Sequence, residues 1–403
     1  MDRRFRELFN KAFTPALYER VRRDLPTRLG TEFEFRLAET PVFLPRDLGD
    51  RLTTAANEIV DQLSLPERLS AMRQAIPPRW DTPGMDALPS FTQVDFAIVR
   101  GPDGMLVPKL IELQGFPSLS ALQVVQRDSW NNILQSIDGL DLDWSCWYSG
   151  LDRKGFLTFA REVIVGSHDP AEVILMDIDP AHQKTYPDFV ATKMLFDVDA
   201  VCPTTLIKKG KTLWRRDARG REIQVKRIYN RVVFDELILK GIDLPFDFRE
   251  ELDVEWAPHP NWYWTWSKYS LPFLDHPAVP RATLVSNLDC MPDDLSAYVL
   301  KPLFSFAGAG VNVDPKPADV AAIPDEQRAA WCIQEKIEYE PALIAADGGG
   351  VKVEIRLMFF RPDNAPRPIL AQNLCRLSRG KMLGVDFNKN FTWVGSSLAL
   401  QPS

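Results

Sequence analysis

The chain has 403 residues, 45% of them hydrophobic and 26% charged, and its formal net charge is -7 at pH 7. This length fits two or three domains with a sizeable core, and the acidic balance gives no electrostatic case for nucleic-acid binding. The five cysteines and four histidines are scattered along the chain, which argues against a disulfide framework and a zinc motif. We find neither an apolar stretch long enough to span a bilayer nor a signal peptide, so we expect a cytoplasmic protein and not a membrane protein.

The first 90 residues have mainly helical patterns. Pro15 follows Thr14 at the expected first turn of a helix. Residues 46–63 carry apolar side chains at helical spacing, which is typical of an amphipathic surface helix. We therefore expect an N-terminal helical segment over residues 1–90.

A hairpin follows, with strands predicted at residues 94–99 and 106–113 around a Gly-Pro-Asp-Gly turn. Asp95 lies early on the first strand and Glu112 late on the second, so antiparallel pairing places them side by side. Gln114 shares the face of Glu112 because strand side chains alternate. Two carboxylates and an amide oxygen are ligands that suit Mg²⁺. The alternative is a hairpin whose acids face solvent, although apolar residues flank both acids.

Residues 119–165 are expected to be helical, and residues 173–206 read as strand, helix and strand in a small α/β unit. A hairpin with its second strand at residues 222–229 ends close to Arg231. Ligands of open α/β sheets bind at strand ends, which makes Arg231 a candidate for binding an anionic substrate group. A solvated basic sheet edge is the alternative interpretation.

Residues 298–313 read as strand, short loop of small residues, and strand. Lys301 lies inside the first apolar strand, and Gly308 and Gly310 lie in the loop, where backbone N–H groups can approach an anion. This pattern indicates a phosphate clamp or, alternatively, a hairpin with a lysine reaching out at its edge. A helix is expected to begin near Ser267 with Lys268 in its first turn. A nearby anion would offset the helix dipole there; otherwise Lys268 is a surface lysine.

The last predicted strands are residues 331–337, 351–360 and 369–377. Lys352, Glu354 and Arg356 alternate onto one face of the second of these, and Arg376 lies on its expected partner. A face with Glu354, Arg356 and Arg376 suits a transferring phosphoryl group, and it equally suits a salt-bridged solvent face.

These motifs together resemble the ATP-grasp ligases. In that superfamily one phosphate-binding lysine begins a helix and a second lies on a strand before a glycine loop; Lys268 and Lys301 match these positions. A strand of the type Gln-Glu-aromatic-Ile forms the adenine hinge, and a later acid holds the ribose. The matching residues here are Gln334, Glu335, Lys336 and Ile337 for the hinge, with Lys336 in the aromatic place, and Glu338 or Glu340 for the ribose.

The metal motif of that superfamily normally follows these segments, whereas Asp95 and the Glu112–Gln114 pair precede them. This order is similar to the circularly permuted branch, in particular to the synthetase domain of glutathionylspermidine synthase, over roughly residues 90–395. Three departures are present: Gln114 replaces the usual asparagine, Phe306-Ala307-Gly308 replaces Arg-Glu-Gly, and Gln93 replaces an arginine implicated in glutathione binding. We find no amidase domain.

The resemblance implies an α+β chain with a circularly permuted ATP-grasp fold and a pre-ATP-grasp α/β domain. The expected segments are 1–90 (helical), 91–150 (metal-binding hairpin and helix), 151–250 (pre-ATP-grasp), 251–340 (small lobe) and 341–403 (large-lobe strands). The implied activity is an ATP- and Mg²⁺-dependent ligase that joins a small-molecule or peptide carboxylate to an amine through an acyl-phosphate. Asp95, Glu112 and Gln114 would hold the metal, and Arg356 and Arg376 would stabilise the acyl-phosphate. An inactive nucleotide-binding scaffold and a phosphotransferase remain the alternatives.

Overall fold

The computed structural model of the chain describes residues 1–304, 310–380, 388 and 390–403. Ten α-helices within these ranges are α1 Arg3–Ala12, α2 Pro15–Leu29, α3 Arg46–Leu63, α4 Pro66–Met72, α5 Ser120–Leu134, α6 Arg153–Val165, α7 Tyr186–Phe196, α8 Phe234–Lys240, α9 Trp262–Thr265 and α10 Pro317–Ala321. Four of them lie in the first 90 residues, as predicted, and α3 has the predicted bounds.

The strands of the described ranges are β1 Val42–Phe43, β2 Phe91–Arg100, β3 Leu106–Gln114, β4 Trp144–Ser145, β5 Val173–Met176, β6 Asp199–Val201, β7 Ile207–Lys209, β8 Thr212–Arg216, β9 Glu222–Val225, β10 Arg227–Asn230, β11 Glu255–Ala257, β12 Ala282–Leu284, β13 Tyr298–Pro302, β14 Trp331–Glu335, β15 Leu343–Ile344, β16 Gly350–Phe360, β17 Ile369–Ser378, β18 Gly395–Ser397 and β19 Ala399–Pro402. The chain is therefore a mixed α+β protein, as expected.

The largest sheet runs in the order β18-β17-β16-β2-β3, with β15 beside the start of β16. Its strands are antiparallel, and the central pair joins β2 near the beginning of the chain to β16 near its end. Asp95 and Arg356 lie opposite each other on a polar face of this sheet. The residues next to them on each strand point to the other face and are apolar and buried. The sheet thus places charged side chains from distant segments next to each other.

Two smaller sheets flank it. The first is all parallel, in the order β11-β10-β5-β6, and its strand β5 is a continuous buried apolar run, as parallel sheets require. Arg227 on β10 is almost fully buried and donates to Asp363, in the turn after β16, at 2.7 Å. This contact ties the parallel sheet to the large one. The second is the antiparallel sheet β12-β14-β13, which carries Lys301.

Several boundaries differ from the sequence-based predictions. The strand expected at residues 222–229 is two strands, because Lys226 separates β9, in the antiparallel sheet β7-β8-β9, from β10, in the parallel sheet. The strand expected at 199–206 ends at Val201. Strand β11 pairs with β10, so the parallel sheet includes residues 255–257. The helix expected at Ser267 is a short 3₁₀ helix over Lys268–Phe273.

One large hydrophobic core includes residues from α1 to β19. A smaller core is formed by residues of the sheet β12-β14-β13 and of the segments that connect its strands. The smaller core consists of Val285, Leu295, Leu300, Val320, Ile323 and Ile333. Across the described ranges, none of the helices combines the length and apolar character that a membrane span needs.

Candidate functional site

The predicted hairpin is present, and its acids are adjacent. Asp95 on β2 lies directly opposite Glu112 on β3, and a bulge next to Asp95 offsets the register beyond this pair. Gln93 lies opposite Gln114, two residues along both strands. Because opposed residues of an antiparallel pair project to one face, Asp95, Glu112 and Gln114 share the polar face of the large sheet. The alternative with solvent-facing acids is wrong, since Asp95 is fully buried.

Two arginines from the end of the chain neutralise Asp95. Arg356 on β16 donates from Nε to Oδ1 and from Nη2 to Oδ2 of Asp95, both at 2.6 Å, which is bidentate pairing. Arg376 on β17 donates to the same Oδ2 at 2.5 Å and also contacts Glu354. The expectation that Glu354, Arg356 and Arg376 share one face is confirmed; Glu354 and Arg356 are buried, and Arg376 is half-buried.

Lys268 faces Glu112 across the polar face of the sheet. Its Nζ lies 3.7 Å from Oε2 of Glu112. The side chain of Ser267 accepts from the backbone N–H of Tyr269, which holds the turn that presents Lys268. Gln114 donates from Nε2 to Oε1 of Glu112 at 2.6 Å. Lys268 is 5% exposed, so the interpretation of it as a surface lysine is wrong.

Lys301 enters the same cluster from the small sheet. It lies on β13 opposite Cys332, and its Nζ donates to Oε1 of Gln334 at 2.6 Å and to the backbone oxygen of Ile111 at 3.2 Å. Ile111 precedes Glu112 on β3. Burial lowers the pKa of Lys301, and the oxygens of Gln334 and Ile111 that accept from its ammonium are neutral. An anion next to this ammonium would therefore be strongly favoured.

The pKa values of Glu112 and Glu354 reflect the charged side chains around them. Burial by itself raises the pKa of Glu112, but Lys268, Arg376, Arg356 and Lys301 together lower it to about 2. Burial raises the pKa of Glu354 to about 7, and the neighbouring Asp95 and Glu112 add to this against the attraction of Arg376. Four cations from four separate segments thus act on one carboxylate.

The predicted adenine-hinge residues lie at the end of β14 and directly after it. Glu335 pairs with Arg281 at 2.8 Å, and the backbone N–H of Lys336 donates to Ala297. Ile337 is half-buried, and Glu340 is exposed and lies 3.5 Å from Arg100. Gly310 is described and has a φ of 73°, which favours glycine. Gly308, with the rest of the 305–309 loop, lies outside the described residues. The nucleotide roles of these residues remain predictions.

Arg231 lies apart from this cluster, inside the parallel-sheet unit. It is buried, and its Nη1 donates to Oδ2 of Asp188 at 2.6 Å. The other oxygen of Asp188 accepts from the backbone N–H of Leu122, at the start of α5. The interpretation of Arg231 as a solvated basic edge is wrong because the side chain is 5% exposed. Its guanidinium already has a carboxylate partner, and its substrate role stays a prediction.

Sequence reasoning missed several side chains beside Lys268. A small cleft is lined by Glu112, Gln114, Phe116, Tyr263, Ser267, Lys268 and Phe304, among others. Tyr263 donates from its hydroxyl to Asp235 at 3.0 Å, and burial raises the pKa of Asp235 while Lys268 acts in the opposite direction. The aromatic run at 262–266 was visible in the sequence, but nothing in its pattern indicated that it forms the wall of a cleft.

The oxygen donors present fit Mg²⁺ in their chemistry. Within the described part of the chain, no three His, Cys, Asp or Glu side chains are grouped to hold a metal ion, and the predicted set contains two carboxylates completed by an amide. Glu112 is ionised at neutral pH and lies beside the cleft. Both oxygens of Asp95 accept from arginines, so Asp95 would exchange at least one of these hydrogen bonds on binding a metal.

No family model and no curated protein match the chain. Among solved structures, one that is similar is the apo form of a glutathione synthetase-like effector, GSS30, from Globodera pallida. The match has a TM-score of 0.57 and 11% identity, and it covers 96% of this chain and 97% of that one. The chain therefore shares its overall fold with this effector over nearly the full length of both chains. At this identity the likeness extends to the fold alone.

Proposed function

We propose that the chain is an ATP- and Mg²⁺-dependent carboxylate–amine ligase with a circularly permuted ATP-grasp arrangement. The observation that carries this proposal is the convergence on Glu112 of Lys268, Lys301, Arg356 and Arg376. These cations come from the turn after α9, from β13, from β16 and from β17. A polyphosphate with a metal ion is the kind of ligand that such a mixture of cations and ionised carboxylates binds.

The residues divide the proposed work between them. Lys268 and Lys301 bind phosphate oxygens, and Glu112, Gln114 and Asp95 would hold Mg²⁺, which supplies charge neutralisation when bound with the nucleotide. Arg356 and Arg376 orient the substrate carboxylate and stabilise the charge that develops when it attacks the terminal phosphate of ATP and ADP leaves. The amine then attacks the acyl-phosphate carbon and phosphate leaves, so no covalent enzyme nucleophile is required.

One observation favours a second candidate, a nucleotide-binding scaffold without turnover. Asp95 is engaged on both oxygens by Arg356 and Arg376, and Gln114 donates to Glu112 in place of turning its oxygen toward a metal. A site held closed by its own ion pairs would bind nucleotide and leave the phosphates unreacted. Release of ADP with an amide product separates the ligase from this scaffold, and a phosphorylated product without an amide would indicate a phosphotransferase.

The first test is thermal unfolding with and without ATP and Mg²⁺, on the wild type and on Lys301→Ala and Glu112→Ala. A ligand that binds the folded state raises its melting temperature by mass action. We expect a Mg²⁺-dependent rise in the wild type that both variants lose, because their residues lie on β13 and β3 at one site. Ile344→Ala, at an exposed residue of β15, is the matched control and keeps the rise. A wild type that saturating ATP does not stabilise would contradict the proposal.

A further inference from the structure

Gly115 makes a close backbone contact with the segment that carries Lys268. It follows Gln114 at the end of β3, and its N–H donates to the backbone oxygen of Trp266 at 2.6 Å. A Cβ added at Gly115 would lie 2.4 Å from the backbone oxygen of Trp262 and 3.0 Å from Cβ of Trp266. Real Cβ atoms do not approach a backbone oxygen this closely, so glycine is required by the approach itself.

This contact is close in sequence to both members of the Lys268–Glu112 pair. Glu112 lies three residues before Gly115, and Lys268 lies two residues after Trp266. The side chains then meet at 3.7 Å between Nζ and Oε2. Since short stretches of backbone connect each side chain to the Gly115–Trp266 hydrogen bond, the position of this bond sets the distance between the two charges.

Residues 262–266, which include α9, are also held by hydrogen bonds on the side away from Gly115. Trp262 donates from Nε1 to Asp86 at 2.6 Å. Asn261 donates from Nδ2 to Asp81 at 2.8 Å and accepts from the backbone N–H of Thr82 at 3.0 Å. This segment therefore lies between Gly115 and residues 81–86. It cannot relax away from a larger residue at position 115 without breaking these hydrogen bonds.

We propose that Gly115 is a positioning residue that holds Lys268 against Glu112, so that the ammonium and the carboxylate face the phosphates of one nucleotide and its metal ion. This inference rests on the proposed nucleotide site. It assigns to Gly115 the role of setting the distance between the β2–β3 hairpin, which carries Glu112, and the segment that carries Lys268. Gly115 itself does not contact the ligand. The neighbouring contact of Lys301 with the oxygen of Ile111 ties the small sheet to the same strand.

The test is a double-mutant cycle on the full chain, with calorimetric titration of adenylyl imidodiphosphate, a non-hydrolysable ATP analogue, in the presence of Mg²⁺. The four proteins are wild type, Gly115→Ala, Lys268→Ala and the double variant. We expect Gly115→Ala to weaken binding about tenfold, since displacement of a binding group by about an ångström has effects of this order or larger. In the Lys268→Ala background the same substitution should add little, because the group it misplaces is absent.

Gly101→Ala is the matched control. Gly101 lies at the other end of the same hairpin, and a Cβ there would meet side-chain atoms of Asp103 and Val107 at 3.1 and 3.5 Å. We expect it to bind the analogue as the wild type does. Should Gly115→Ala fail to fold cooperatively, Trp262→Phe replaces it in the cycle, because it removes the hydrogen bond to Asp86 and frees residues 262–266 from the opposite side.

The outcomes separate the two proposals. Wild-type affinity in Gly115→Ala, or a loss that is fully additive with Lys268→Ala, would overturn the positioning role while leaving the nucleotide site intact. Wild-type affinity in Lys268→Ala itself would overturn the nucleotide site, and the positioning role with it.

Discussion

Glu112, which is half-buried, and Glu354, which is buried, are carboxyl groups of one cluster, yet their pKa values shift in opposite directions. The pKa of Glu112 is lowered to about 2 because, despite burial, four cations surround it. The pKa of Glu354 is raised to about 7 by burial and by the charges of Asp95 and Glu112. At neutral pH Glu112 is therefore ionised, whereas burial favours the protonated form of Glu354. Neighbouring groups whose pKa values shift in opposite directions are typical of functional sites.

The buried His259, nine residues before Lys268, leads to a prediction about how the stability of the protein depends on pH. Its ring is 3% exposed, and burial lowers its pKa to about 4. Between pH 6.5 and 4 the unfolded chain binds a proton at this residue and the folded chain does not, so stability falls as the pH falls. We expect a loss of about 3 kcal/mol from this group over that window.

The measurement is urea unfolding of wild type and His259→Asn from pH 4 to 8. The difference between the two proteins should shrink as the pH falls, and contributions from Glu354 cancel in it. His182→Asn, at an exposed histidine whose pKa Asp179 raises, is the control and should lack this trend. Parallel curves for wild type and His259→Asn would contradict the prediction.

The buried pair of Arg231 and Asp188 leads to a prediction about stability. Removing one partner of a buried ion pair leaves an uncompensated charge, which costs about 3–5 kcal/mol. We therefore expect Arg231→Met to lower the free energy of unfolding by this amount, and Arg231→Met with Asp188→Asn to recover part of the loss. Chemical denaturation measures both. A fully stable Arg231→Met that has lost substrate turnover would instead support the substrate role predicted from the sequence.

At the scale of elements, β3 is the strand on which the site is assembled. It contacts the small sheet through Ile111 and the segment before β12 through the N–H of Leu110, which donates to Ala278 at 2.7 Å. Gly115, the residue after β3, contacts the segment that carries Lys268. The small sheet has its own core of six apolar residues, whereas the large sheet shares the main core of the molecule. Local stability follows the amount of buried apolar contact.

We therefore expect the small sheet to open more easily than the large one. In hydrogen–deuterium exchange, peptides covering β13 and β14 should exchange faster than those covering β16, whose residues Val353, Ile355 and Leu357 belong to the main core. The ATP analogue with Mg²⁺ should slow exchange in β13, because Lys301 would then hold a phosphate. Equal rates in the two sheets without ligand would contradict the first expectation.

For the whole molecule, local patterns predicted the elements better than their assembly. The spacing of apolar residues predicted α3, and alternation with a Gly-Pro-Asp-Gly turn predicted the hairpin and the Asp95–Glu112 pair. The contact between Asp95 and Arg356 joins residues 261 positions apart, and no local pattern records it. Nor did the sequence reveal that Gly115 meets Trp262, since backbone approach across elements leaves no periodic signal. The domain boundaries proposed from the sequence remain predictions.

The pairing of β2 with β16 has a consequence for how the protein is made. During synthesis the hairpin β2–β3 leaves the ribosome long before residues 350–360 exist, so one edge of β2 has no partner until those residues have been made. An unpaired apolar strand edge is a template for aggregation. Ribosomes that stall or terminate before residue 350 would thus release chains with β2 exposed, and such chains are the ones that would depend on molecular chaperones.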